Sequence, residues 1–179
     1  MTNEQEKIEL LIKVFDNQQT LIANADGKAN IALSIQTFIT TSILGASIVV
    51  DTFNRIIDFN CIVKFSYYLL FPFFLMTSIL GLTFCILVFK PRLPQEKKEV
   101  ERKGITYYGH IEKYKNSNDY LEEINGTKPE DIVKEFAFQN YSLAIILGQK
   151  MKFVKYSTSL LFINIVLGIL LLIFSLATK

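Results

Sequence analysis

Three stretches of roughly twenty residues carry no charge, and charges are frequent between them. The first runs from Ala29 to Val50, with Lys28 and Asp51 at its edges. The second runs from Ser66 to Phe89 and ends at Lys90-Pro91; the third runs from Tyr156 to Ala177. A helix of ~20 apolar residues spans a hydrocarbon core of ~30 Å. A buried helix of a soluble protein rarely lacks charge on every face. The pattern therefore predicts an all-α integral membrane protein with three transmembrane helices.

The first and third spans continue a helical pattern that begins outside them. Ile8, Leu11, Phe15, Gln18, Ile22, Ala25 and Ala29 step by three and four, which is a heptad seam. The steps go on through Ala32, Gln36, Ile39, Ile43, Ala46 and Val50, so residues 4–50 read as one helix. Gly27 is its weak point, costing ~1 kcal/mol against Ala in an exposed helix. A second seam runs through Ile132, Phe136, Gln139, Leu143, Ile146, Lys150, Phe153, Ser157, Leu160 and Asn164. Thr127 and Glu130 have the spacing of a capping box at its start. Neither seam is stable alone, and the two predict parallel packing. With Gln36 level with Asn164, Phe15 faces Leu143, and Asp26 lies within about a turn of Lys150.

The chain reads as a single domain over 1–179: a cytoplasmic helix 4–28, a first span 29–50, an outer loop 51–65, a second span 66–89, a cytoplasmic helical segment 90–155 and a third span 156–177. Pro91 and Pro94 stop the second helix, and residues 96–103 form a mixed charge run. A short helix is expected from Ser117-Asn118 to Asn125-Gly126. The polar first 28 residues do not read as a signal peptide, so the first span is expected to stay as an anchor.

Charge orients these spans. Thirteen basic residues lie in 90–155, and only Arg55 and Lys64 in 51–65. The positive-inside rule then places the N-terminus and the long segment in the cytoplasm and the C-terminus outward. A net charge of +2 gives no case for nucleic-acid binding.

The chemistry of catalysis is missing from the pattern. His110 is the single histidine, so no histidine-based triad or metal cluster is available. Cys61 and Cys85 fall on opposite sides of the predicted bilayer, too far apart for a disulfide. No Gly-rich phosphate loop is present. The expectation is a protein that is not an enzyme, with no catalytic residue, metal site or cofactor.

Polar residues inside the spans carry more information. Gln36 and Asn164 sit at similar depth in helices that both run outward. Amides in hydrocarbon seek partners and face the bundle interior. Two readings stay open for them, a structural hydrogen bond or an assembly or pore-lining position. Thr41/Gly45 and Thr77/Gly81 are small-residue pairs that permit close helix approach.

Several short elements occur in a distinctive order. Asn24-Ala25-Asp26-Gly27-Lys28-Ala29 opens the first span; Tyr108-Gly109-His110-Ile111 and Tyr114 follow later; Gln139, Tyr141-Ser142-Leu143-Ala144-Ile145 and Lys150 precede the last span. In that order, with these spans, the chain resembles the transmembrane effectors of Pycsar, a bacterial anti-phage defence system. The resemblance implies a membrane effector of abortive infection, located in the bacterial inner membrane. In such systems a pyrimidine nucleotide cyclase answers infection with cyclic CMP or cyclic UMP, and the effector then impairs the membrane. The expected partners are thus the lipid bilayer, further copies in a homo-oligomer, and the cyclase acting through its product. One departure stands out. No β-rich nucleotide-binding module is readable, so either the helical segment reads the nucleotide or the sensor lies elsewhere.

Candidate residues for such a signal are limited. A single phosphate wants cationic or N–H donors, and aromatic rings can stack on a base. Lys103, Tyr107, Tyr108, His110, Lys113 and Tyr114 supply both within one stretch. Asp26, Lys28 and Lys150 lie where the helical segment meets the spans and form a candidate switch, or else pairs that snorkel at the interface. Two other classes remain, a holin-like permeabilising protein and a small accessory or scaffold subunit of a membrane complex.

Overall fold

The structure, a computed structural model, describes residues 3–45, 61–90 and 104–177. The described chain is all α-helix and turn, without a strand. In order the helices are α1 (Asn3–Gly45), α2 (Cys61–Phe89), α3 (Tyr108–Ile111), α4 (Ser117–Gly126) and α5 (Pro129–Ala177). Most of the 51–65 loop, the charge run 96–103 and the last residues of the first predicted span, 46–50, fall outside the described residues.

Each helix end has a local cause. Asn116 caps α4, its side-chain oxygen accepting the N–H groups of Asn118 and Asp119 at 2.9 Å each. The capping box expected at Thr127 is not formed. The Thr127 hydroxyl turns back to donate to the Glu123 carbonyl at 2.6 Å, closing α4. The first bonds of α5 run from the N–H groups of Asp131 and Ile132 to the Lys128 carbonyl. Pro129 therefore takes the first helical position, where its missing N–H costs nothing. Gly27 does not break α1; no neighbour lies within 4 Å of where its Cβ would stand. α2 runs through Pro72 without interruption.

The chain divides into two compact units. Unit 1 comprises residues 1–23 and 91–149, and unit 2 residues 24–90 and 150–179. The long helices α1 and α5 each contribute to both. Along α1 every seam position from Ile8 to Ile43 is buried or half-buried, and along α5 so is every seam position from Ile132 to Asn164.

Within unit 1, α1 meets α5 through Phe15 and Phe136, edge to face at 6.2 Å between ring centres. The Asn140 amide donates to the Leu11 carbonyl at 3.0 Å. Phe15 thus meets Phe136, seven residues before Leu143 on α5, whereas the Asn140–Leu11 bond lies one residue from the expected register.

Within unit 2, α1, α2 and α5 form an up-down-up bundle in layers. Ala25, Ala29, Val88 and Val154 form the first layer, and Ala32, Cys85 and Leu161 the next. Ile43, Tyr67, Phe74, Leu167 and Leu171 form the last. Small residues set the spacing. A Cβ on Gly168 would stand 2.9 Å from Cδ1 of Ile43, and one on Gly81 would stand 3.1 Å from Nε2 of Gln36. Thr77/Gly81 therefore lies at a helix contact, whereas Thr41 and Gly45 are exposed. Cys61 and Cys85 stand at opposite ends of α2, ~36 Å apart along the axis at 1.5 Å per residue.

The described residues support two of the three predicted spans by length and composition. Among the described residues two helices are long and apolar enough to cross a membrane, Lys64–Phe89 and Pro129–Leu176. The first predicted span is helical as far as Gly45. Asn30, Ser34, Gln36, Thr37, Thr40, Thr41 and Ser42 dilute its described part below that standard.

Candidate functional site

The residues singled out in the sequence fall into three places, one in unit 1 and two in unit 2. The first is built around Glu135, in the second turn of α5. Its carboxylate accepts two successive backbone N–H groups, Ile105 at 3.1 Å and Thr106 at 2.9 Å. One turn along α5, the Gln139 amide donates to the Thr106 hydroxyl at 2.5 Å. The Tyr120 hydroxyl of α4 donates to the Ile105 carbonyl at 2.6 Å. The loop 104–106 is thus fixed from two helices through three different side chains. Gly104 is required by crowding, since any Cβ there would collide with Glu135 Oε1 and His110 Nδ1.

Aromatic rings flank this loop. Tyr107 and His110 meet edge to face at 5.4 Å, and Tyr114 and Tyr120 lie 5.2 Å apart at a tilt. Burial first, and then the charges of Glu123 and Glu135 and the neighbouring Tyr120, push the Tyr114 phenol above its ordinary pKa. His110 belongs to the single turn of α3, its N–H donating to the Tyr107 carbonyl at 2.9 Å. Tyr108 opens the same turn. Lys113 is exposed, and Lys103 lies outside the described residues. Of the predicted signal residues, the fold therefore gathers Tyr107, His110 and Tyr114 about one loop. Glu135 and Tyr120 escaped the sequence reading. Glu135 stands four residues before Gln139 on α5, which was the available signal, but its loop partners are thirty positions away.

The second place opens unit 2. Lys150 is nearly buried and donates to the Asp26 carboxylate at 2.5 Å. Asp26 is half-buried. A buried cation is tolerated only with such a partner. Lys28, two residues along α1, is exposed and takes no part in this pair.

The third place lies inside the bundle. Asn164 is 0% exposed, and its Oδ1 accepts the hydroxyls of Thr77 and Ser78 at 3.1 Å each. Thr77 has one hydroxyl proton, and the Phe74 carbonyl at 2.9 Å competes for it. Gln36 is 1% exposed and lies flat against Gly81, less than a turn from Ser78 on α2. Both polar atoms of Gln36 and the Nδ2 of Asn164 are shut off from solvent without a hydrogen-bond partner among the described residues. Each such unmade bond costs ~1–3 kcal/mol in a soluble protein. Among the described residues no group of three His, Cys, Asp or Glu side chains is placed to hold a metal.

The described residues thus combine two helices long and apolar enough to cross a membrane with a second compact unit that is helical too. The sequence profile of the Pycsar effector protein domain (PycTM) matches residues 10–177, nearly the whole chain. The chain belongs to this family of anti-phage effectors, which links it to a system with a cyclic-nucleotide cyclase. No curated protein and no solved structure matches it.

Proposed function

We propose that the chain is a membrane effector of abortive infection, held in the bacterial inner membrane by three spans and activated by cyclic CMP or cyclic UMP to impair that membrane. The observation that carries this reading is the inside-out character of unit 2. The polar side chains of Gln36, Thr77, Ser78, Ser157 and Asn164 are buried between its helices, while smaller polar groups such as Ser34, Thr41 and Thr83 stay exposed. Many large apolar side chains are exposed, among them Ile31 and Phe38 of α1, Leu69 and Ile79 of α2, and Phe162 and Ile173 of α5. A soluble bundle has the reverse arrangement. The feature extends to α1, and so supports a third span despite its dilution. The hydroxyls of Ser34, Thr40 and Thr41 there bond to carbonyls of their own helix at 2.8–3.0 Å, which suits hydrocarbon.

In this reading unit 1 and the N-terminus are cytoplasmic, the C-terminus is outward, and the nucleotide engages the ring-flanked loop of unit 1. The protein does no chemistry of its own and needs no cofactor. It acts as a homo-oligomer. Leu10, Val14 and Leu21 on α1 and Phe138, Tyr141 and Ile145 on α5 support this, being exposed apolar residues at helical spacing outside the apolar bundle. Purified protein in liposomes is expected to release trapped contents with cyclic CMP or cyclic UMP and not with cyclic AMP. A reporter fused after Lys179 is expected to read as periplasmic, and one inserted at Gly126 as cytoplasmic. No leakage with either nucleotide, or a cytoplasmic C-terminal reporter, overturns the reading.

A further inference from the structure

We propose that the layer formed by Gln36, Ser78 and Asn164 is a water-binding site inside the bundle, shared by the two amides. Asn164 uses its carbonyl oxygen on α2 and has two N–H protons left, with no acceptor among the described residues. Gln36 has two N–H protons and an oxygen, all without partners. The unspent groups include donors and an acceptor from two helices, both set against one turn of a third. Water is the ligand whose chemistry fits, since it accepts from one amide and donates to the other. A small buried water typically makes about three such bonds. A metal cation does not fit, because the free groups are mainly N–H donors. A direct bond between the amides is not made, and an apolar ligand would leave every group unpaired.

The surroundings define the layer. Ala32, Cys85 and Leu161 close it on one side, and Ile43, Phe74 and Leu167 on the other. Gly81 lets the Gln36 amide lie against α2, since any side chain there would press on it. The site is therefore a wet layer between two dry ones. Its consequence rests on the function proposed above: when the dry layers part, this layer is where water and small ions first have polar company in the membrane.

Two measurements test the site on the full-length protein in detergent. The first is a double-mutant cycle on the thermal midpoint. Gln36→Leu and Asn164→Leu should each lower the midpoint by several degrees, because each strands the other amide and its water. The double variant should return close to the parent, since both groups of the shared site are gone. Additive shifts, or single variants that raise the midpoint, overturn the shared water. The second needs no variant. Hydroxyl radicals generated by X-ray radiolysis of bound water should label Phe74 despite its complete burial, and an unlabelled Phe74 counts against the site. A third measurement concerns the consequence. In liposomes, nucleotide-triggered potassium leakage should fall at least tenfold in the double variant. Equal leakage from parent and variant overturns the permeation role. If the parent leaks with neither nucleotide, the proposed function fails, and the cycle and the labelling still decide the water site.

Discussion

Units 1 and 2 are threaded by the same two helices, and both helices carry one seam from end to end. What differs is everything off the seam. In unit 2 the outward faces of α1 and α5 carry Ile31, Phe38, Phe162 and Ile173, and the amides of Gln36 and Asn164 turn inward. In unit 1 they carry Glu9 and Lys13, Asp131 and Lys134, paired along the helix surface at 2.8 and 3.2 Å. A heptad seam therefore says where a helix will pack, and not which solvent surrounds it. The opposite faces decide that, through the relative cost of exposing apolar groups to water and polar groups to lipid.

The largest fully buried side chain belongs to unit 2. Phe74 is fully buried among Tyr67, Ile43, Leu167 and Leu171. Phe74→Ala should cost ~3–5 kcal/mol of unit 2 stability, by the measure of soluble cores. Thermal unfolding in detergent reads this directly. Hydrogen exchange of α4 and of the 104–106 loop should change little, if the two units are stabilised separately. Equal loosening of both would mean that they unfold as one.

The next effect belongs to the ion pair. Asp26→Leu leaves Lys150 nearly buried without its carboxylate and should cost ~1–3 kcal/mol, less than a fully buried pair because Asp26 is one-third exposed. Adding Lys150→Met should recover most of that loss. A double variant no better than Asp26→Leu alone would mean that the methylene stem of Lys150, and not its charge, holds this end of the bundle.

Unit 1 is sharpened by Glu135. Glu135→Ala removes the acceptor of two backbone N–H groups and should raise the amide exchange rates of Ile105 and Thr106 by one to two powers of ten, equivalent to ~1–3 kcal/mol. Glu135→Gln keeps one acceptor and should fall between. The loop should stay near its place, because Tyr120 and Gln139 still hold it. Unchanged exchange in Glu135→Ala would show that those two side chains fix the loop unaided.

How far this was legible in the sequence follows from range. The seams of α1 and α5 are local repeats, and each position from Ile8 to Ile43 faces inward as the spacing requires. The start of α4 was readable from Ser117-Asn118 for the same reason. The start of α5 was misread because Thr127 had two carbonyl and amide partners available, and sequence spacing cannot rank them. The described part of the first span is more polar than its absence of charge suggests, because its hydroxyls and amides count as well. The cluster at Glu135 was hidden because it joins residues thirty positions apart across a loop with no periodicity. Of the candidate signal residues, Tyr107, His110 and Tyr114 were readable as a local group of rings and an imidazole. The side chain that organises the adjoining loop was not.

The smallest expected effect concerns pH. The Tyr114 phenol is pushed up by burial and by the nearby charges of Glu123 and Glu135. Its folded pKa thus lies above its unfolded value, which is ~10. The unfolded chain loses this proton first as pH rises. Stability from this group is therefore fully present below pH ~10 and is lost as pH climbs from there through the folded pKa. Tyr114→Phe should leave stability at neutral pH nearly unchanged and flatten the alkaline fall of unit 1, followed through the exchange of α4 amides. Unit 2 should show no matching change, since Tyr114 belongs to the other unit. An alkaline fall of the same depth in the variant would assign it to other groups, and Tyr114 would then count only as a ring against Tyr120.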